Sequence, residues 1–178
     1  MTRAFAPLPR LALAAALALS SQAAGAAAGL CASDEIVLAS CRTGQKTAAV
    51  CASRDLGPDS GHAQYRYGRP GAVELAFPNP PAHPRRFAIA GNVMFSGGGE
   101  AYLRLANGDH AYTFYDGMGR GWQHRGLLVT RGDRRLANFA CRGPDEGDHT
   151  QLPEGTLPAA GDADEERWLN LRPDPGGR

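Results

Sequence analysis

Lysine is almost missing from this chain: Lys46 stands alone, and the rest of the basic side chains are arginines. The formal net charge is +1 and the arginines are spread rather than gathered into a stripe, so there is no field for a phosphate backbone and nucleic acid is excluded as a partner. Long apolar runs are scarce too. Beyond Leu30 nothing approaches the ~20 consecutive apolar residues of a membrane span, and no spanning helix is expected. No C-x-x-C pair occurs, and His62, His83, His110, His124 and His149 lack ligand spacing, which argues against a metal. There is no P-loop, and Gly97-Gly98-Gly99 does not open a helix as a dinucleotide fingerprint must, so no cofactor is expected.

Signatures of catalysis are equally thin. Ser96 is not in a G-x-S-x-G elbow, because Met94 stands two residues before it, and no histidine is marked as its base. Glu74, Glu100, Asp109 and Asp116 are the carboxylates that a glycosidase would have to bring together, but charges on strands and turns are ordinary surface chemistry. Arg131-Gly132-Asp133 reads as a turn rather than an adhesion tripeptide. The expectation is a protein that is not an enzyme.

What is present begins with the N-terminus. Arg3 and Arg10 precede an apolar stretch from Leu11 to Leu19, and small residues follow with A-x-A sites at Ala24-Gly25-Ala26 and Ala26-Ala27-Ala28. Residues 1–26 read as a cleaved signal peptide, which places the mature chain in the periplasm or outside the cell. A lipid anchor on Cys31 fits poorly, since Leu30 is bulky where such signals carry a small residue. Cys31, Cys41, Cys51 and Cys141 all lie beyond the cleavage sites, and an even count in an exported chain implies two disulfides. Three pairings are open. Cys141, at the end of the last strong strand, is expected to staple back to the N-terminal hairpin, which favours Cys51 with Cys141 and Cys31 with Cys41.

Between Cys31 and Cys141 no helical period is sustained, whereas alternation recurs, with Leu103 and Leu105 facing one way and Tyr102 and Arg104 the other. Glu35 to Cys41 and Thr47 to Cys51 form a hairpin about Thr43-Gly44-Gln45. Gln64 to Tyr67 and Val73 to Phe77 flank Gly68-Arg69-Pro70-Gly71, after which the prolines from Pro80 to Pro84 oppose helix and regular pairing. Phe87 to Ile89 and Val93 to Phe95 then lead into the glycine run. Tyr102 to Ala106 pairs with Ala111 to Tyr115 across an Asn107-Gly108 turn, and Leu127 to Thr130 with Leu136 to Cys141 across Gly132-Asp133. The fold class is all-β: a small antiparallel sandwich or barrel of eight or nine short strands over residues 31–142. Residues 143–178 turn to Pro, Gly, Asp and Glu and read as a mostly disordered tail, where a helix from Asp162 to Leu171 would be marginal alone.

Two segments stand out as presented loops. Phe95-Ser96-Gly97-Gly98-Gly99-Glu100-Ala101-Tyr102 sets a serine and a glycine run between strands, and Tyr115-Asp116-Gly117-Met118-Gly119-Arg120-Gly121-Trp122 adds an arginine and an aromatic of the kinds that anchor interfaces. The first resembles the S-G-x-x-Y loop of bacterial periplasmic lysozyme inhibitors of the C-type and I-type groups, with extra residues between Gly97 and Tyr102. The run from Gln64-Tyr65-Arg66-Tyr67-Gly68 to Ala137-Asn138-Phe139-Ala140-Cys141 also resembles an uncharacterised group of exported proteobacterial proteins, which implies no activity. The inhibitor resemblance implies a binding protein whose partner is a lysozyme. Ser96 would enter the cleft and meet its two carboxyl groups, Gly97 and Gly98 would let the backbone approach, and Tyr102 would brace the loop. Arg104 or Arg120 would pair with remaining negative charge, and Trp122 would supply an anchor. The alternative is an envelope carbohydrate-binding module that holds peptidoglycan by stacking on Trp122, Tyr102 and Tyr115.

Overall fold

The computed structural model describes residue 1 and residues 29–143 and 147–174. The signal segment expected at residues 1–26 thus lies, but for Met1, outside the described residues. Among the described residues nine strands follow one another: β1 (Glu35–Arg42), β2 (Thr47–Ser53), β3 (Ala63–Arg69), β4 (Ala72–Ala82), β5 (Ala88–Phe95), β6 (Gly98–Asn107), β7 (His110–Gly119), β8 (Trp122–Arg131) and β9 (Arg134–Ala140). They form two antiparallel meanders, a first sheet of order β1-β2-β3-β4 and a second of order β5-β6-β7-β8-β9. No helix among the described residues is long and apolar enough to cross a membrane.

Alternation along each strand builds the core between the sheets. Leu38, Val50 and Tyr65 from the first sheet meet Leu103, Leu105, Phe114 and Leu127 from the second. Tyr65 is the centre of an aromatic cluster, 4.7 Å from the ring of Tyr112 and 4.8 Å from that of Phe77. The first sheet also holds a charged pair, since Arg66 Nη1 and Nη2 donate to the Glu35 carboxylate at 2.6 and 2.7 Å. Burial alone would raise the Glu35 pKa, but the Arg66 bonds and the Ala32 N–H outweigh it and hold the carboxyl below its usual range.

Three expectations need correction. The disulfides join Cys31 to Cys51 and Cys41 to Cys141. Alternation in β2 is the reason: Val50 points into the core, so Cys51 points to the outer face, where Leu30 and Cys31 fold over it. Cys41 faces inward and reaches the end of β9, beside the Arg42 and Arg142 bridge that joins the two sheets along one side. Second, the prolines do not end β4, which continues to Ala82; it is an edge strand, where a missing N–H is tolerated. Ala88 to Phe95 is one continuous strand, β5, and Phe87 stands just before it.

Third, the tail is folded over its described residues 147–174. Gly147 lies against Val37 and Leu38 of β1, Ala159 bridges to Ala90 of β5, and α1 (Asp162–Leu171) lies across the outer face of the second sheet with Trp168 buried. Its first turn carries Asp162, Asp164 and Glu165, which suit the positive end of the helix dipole. Arg135 Nη2 donates to the Arg172 carbonyl at 2.7 Å and so satisfies a backbone acceptor just past the helix. The polar composition hid one apolar anchor that a helix too short to stand alone can use.

Candidate functional site

Both glycine-rich segments lie at one end of the second sheet, and most of their residues are strand rather than loop. Pairing of Phe95 with Gly98 leaves only Ser96 and Gly97 in the first turn, and pairing of Gly119 with Trp122 leaves only Arg120 and Gly121 in the second. Gly97 has φ +91° and Gly121 φ +80°, a region that only glycine enters freely. Gly98 pairs with Gly119, so the two tips stand side by side, and the Arg120 N–H donates to the Gly97 carbonyl at 3.0 Å across them. Ser96, Gly97, Arg120 and Gly121 are all exposed.

The remaining glycines have a different purpose. On the outer face of this sheet aromatic rings lie flat over strand positions that have no Cβ. The Tyr102 ring covers Gly91, Tyr115 covers Gly126, and Trp122 covers Gly98 and Gly119. Trp122 stacks on Phe95 at 5.9 Å between centroids, and the Arg172 guanidinium sits 4.0 Å over the other ring of that pair, Phe95. This paving stiffens the strands immediately behind the tips.

At its centre is Glu100, whose side chain has no solvent exposure. Three donors meet its carboxylate: His124 Nε2 and Arg172 Nη1 at Oε1, 2.7 and 2.8 Å away, and Trp168 Nε1 at Oε2, 3.0 Å away. A buried carboxylate is tolerable only when so satisfied. A Cβ on Gly117 would fall on the Glu100 side chain and 2.7 Å from His124 Nε2, so the network needs that glycine. Glu100 ties α1 and Arg172 to the sheet.

The seven residues expected to contact a partner therefore divide. Ser96, Gly97 and Arg120 share the exposed edge; Gly98 and half-buried Trp122 support it from behind. Tyr102 is fully buried, stacked at 5.1 Å on Trp168, and cannot touch a partner. Its hydroxyl has no hydrogen-bond partner among the described residues, and burial, with Asp164 and Glu165 nearby, pushes its pKa up to about 12. Arg104 lies farther along the same face, with Nη1 3.3 Å from Asp164 of α1; burial first, then Arg167, lowers its pKa. Both serve the helix rather than the tips. The carboxylates do not pair either. Glu100 points to the outer face, and Asp116, in register with Ala101 and Arg125, points to the inner one.

Sequence reasoning missed Glu100, His124, Trp168 and Arg172 as a unit, because nothing local links residues brought together by α1. Compared with protein-family models, curated proteins and solved structures, the chain matches none of them. Fold and geometry define the class: a disulfide-bonded two-sheet antiparallel sandwich with a helix clamped over one face and two fused hairpin tips.

Proposed function

We propose that this chain is a non-catalytic binding protein of the cell envelope that inhibits a lysozyme by placing its paired hairpin tips in the enzyme's cleft. The observation that carries the reading is the 3.0 Å bond from the Arg120 N–H to the Gly97 carbonyl, which joins the tips into one narrow, exposed edge. Such an edge is preorganised, so little conformational entropy is lost when it docks. Glycoside hydrolases of the lysozyme type hold one protonated and one ionised carboxyl group. The Ser96 hydroxyl is able to accept from the first and donate to the second, and the Arg120 guanidinium suits the ionised one. Tyr102 takes no part in this contact, which narrows the family likeness to Ser96 and its glycines. A glycan-binding surface is less well served, because Tyr102 and Tyr115 are buried and Trp122 is turned against Phe95.

The test is titration of C-type, I-type and G-type lysozymes with the purified, oxidised protein, beside a pull-down on insoluble peptidoglycan. Stoichiometric inhibition of one type is expected, weakened at least tenfold by Ser96→Ala and by Arg120→Ala with melting temperatures unchanged. Full inhibition by the double variant would move the contact elsewhere. No inhibition of any type would overturn the reading, and retention on peptidoglycan would replace it with glycan binding.

A further inference from the structure

Behind the tips the inner face of the second sheet is not covered by the first, and a cleft of about 480 Å³ opens there. Its floor is Gly99, Ala101 and Phe114, and its far wall is formed by Leu38 to Ser40 and by Gly147 to Thr150. Met94 and Met118 flank Gly99 in register on either side, and their side chains remain 82% and 63% exposed. The Met94 Sδ leans over Gly99, where a Cβ would stand only 2.5 Å away. Two unbranched thioethers over a bare glycine make an apolar trough that adapts to its contents. The volume lies within the range of small-molecule sites.

Of the two carboxylates on the cleft's inner and far walls, Asp116 and Asp148, the first is left over. Asp116 makes no hydrogen bond or ion pair among the described residues, although Arg125 stands directly opposite it on β8. Arg125 Nη2 instead donates to the Gly143 carbonyl at 2.8 Å. Asp148, by contrast, is used up, accepting from the Thr150 N–H and from Gln151 Nε2, each at 2.9 Å. His149 is held toward its neutral form by burial, opposed by Asp148. Burial also raises the Asp116 pKa, against the pull of Arg125 and His124. A partly desolvated carboxylate without a donor is a free-energy cost that an incoming cation removes.

We propose that this cleft binds a primary alkylammonium ion, with its nitrogen on the Asp116 carboxylate and its methylenes along Met94, Gly99 and Met118. The site is independent of the lysozyme reading, since neither tip residue lines it. An alkylammonium reaches the cleft as a free amine or as the lysine side chain of a docked protein, and the chemistry is shared.

The experiment is a titration of the full oxidised protein with n-hexylamine, n-hexanol and hexanoate, followed by the amide resonances of Gly99, Ala101, Asp116 and Met118. Saturable shifts at these residues are expected with the amine, at least tenfold stronger than with the alcohol or the acid. Asp116→Asn is near-isosteric and half-exposed; it should abolish the preference for the amine, whereas Met118→Ala should weaken binding and keep that preference. Nα-acetyl-lysine N-methylamide separates the sources: binding as tight as hexylamine points to a docked lysine, and its failure points to a free amine. Equal binding of hexanol, a preference that survives Asp116→Asn, or no saturable shift with any amine overturns the proposal.

Discussion

Glu100 shows how one side chain decides what its neighbours are for. It is an acidic residue in the middle of a strand, and it survives complete burial because an imidazole, a guanidinium and an indole N–H all converge on it. Replacing it by glutamine keeps the shape and one acceptor, but removes the charge that Arg172 and His124 face and turns an NH2 toward donors. Removing one partner of a buried, satisfied charge is strongly unfavourable. Glu100→Gln is therefore expected to lower stability by about 3 kcal/mol, read as a lower urea midpoint with the slope unchanged. A midpoint within error of the parent would mean that the three contacts contribute nothing net.

Among the elements, α1 depends most on its surroundings. Ten residues are too few to hold a helix in water, so its order comes from docking, and Trp168, 4% exposed between Tyr102 and Tyr115, is the anchor. Trp168→Ala is expected to cost about 3–5 kcal/mol and to abolish amide-exchange protection over residues 165–171 while β6 to β8 stay protected. Retained protection in the helix would show that Arg104, Arg135 and Arg172 suffice to hold it. The strands themselves were legible, because alternation and turn residues are local signals: the Asn107-Gly108 turn, the Gly132-Asp133 turn and even the limits of α1 follow from nearby residues. The purpose of the glycines was not. A run such as Gly97-Gly98-Gly99 looks flexible in sequence, yet only Gly97 needs a left-handed backbone, while Gly98 lies under a ring supplied from two strands away. The same limit hid Tyr102, whose place beneath the helix depends on a residue 66 positions downstream, Trp168.

In the whole molecule, the two meanders are joined by little covalent structure besides the chain itself, which crosses once from β4 to β5. The Cys41 to Cys141 bond closes the opposite side, tying the edge strand β1 to the end of β9, with a Cα separation of 4.8 Å and a sequence separation of 100. The Cys31 to Cys51 bond spans a separation of 20 and fastens only the N-terminal segment to the outer face of β2. Constraint of the unfolded chain grows with the logarithm of the loop, and gives about 5 kcal/mol for the long loop against about 3 for the short one. Native contacts widen the gap, since losing the first bond frees a seam between sheets and losing the second frees an end. The Cys41→Ser, Cys141→Ser pair of substitutions is therefore expected to lower stability by about 2 kcal/mol more than the Cys31→Ser, Cys51→Ser pair, measured as urea midpoints under oxidising conditions. Equal losses from the two variants would mean that the core, through Tyr65, Phe77, Tyr112 and Phe114, holds the sheets together without the covalent seam.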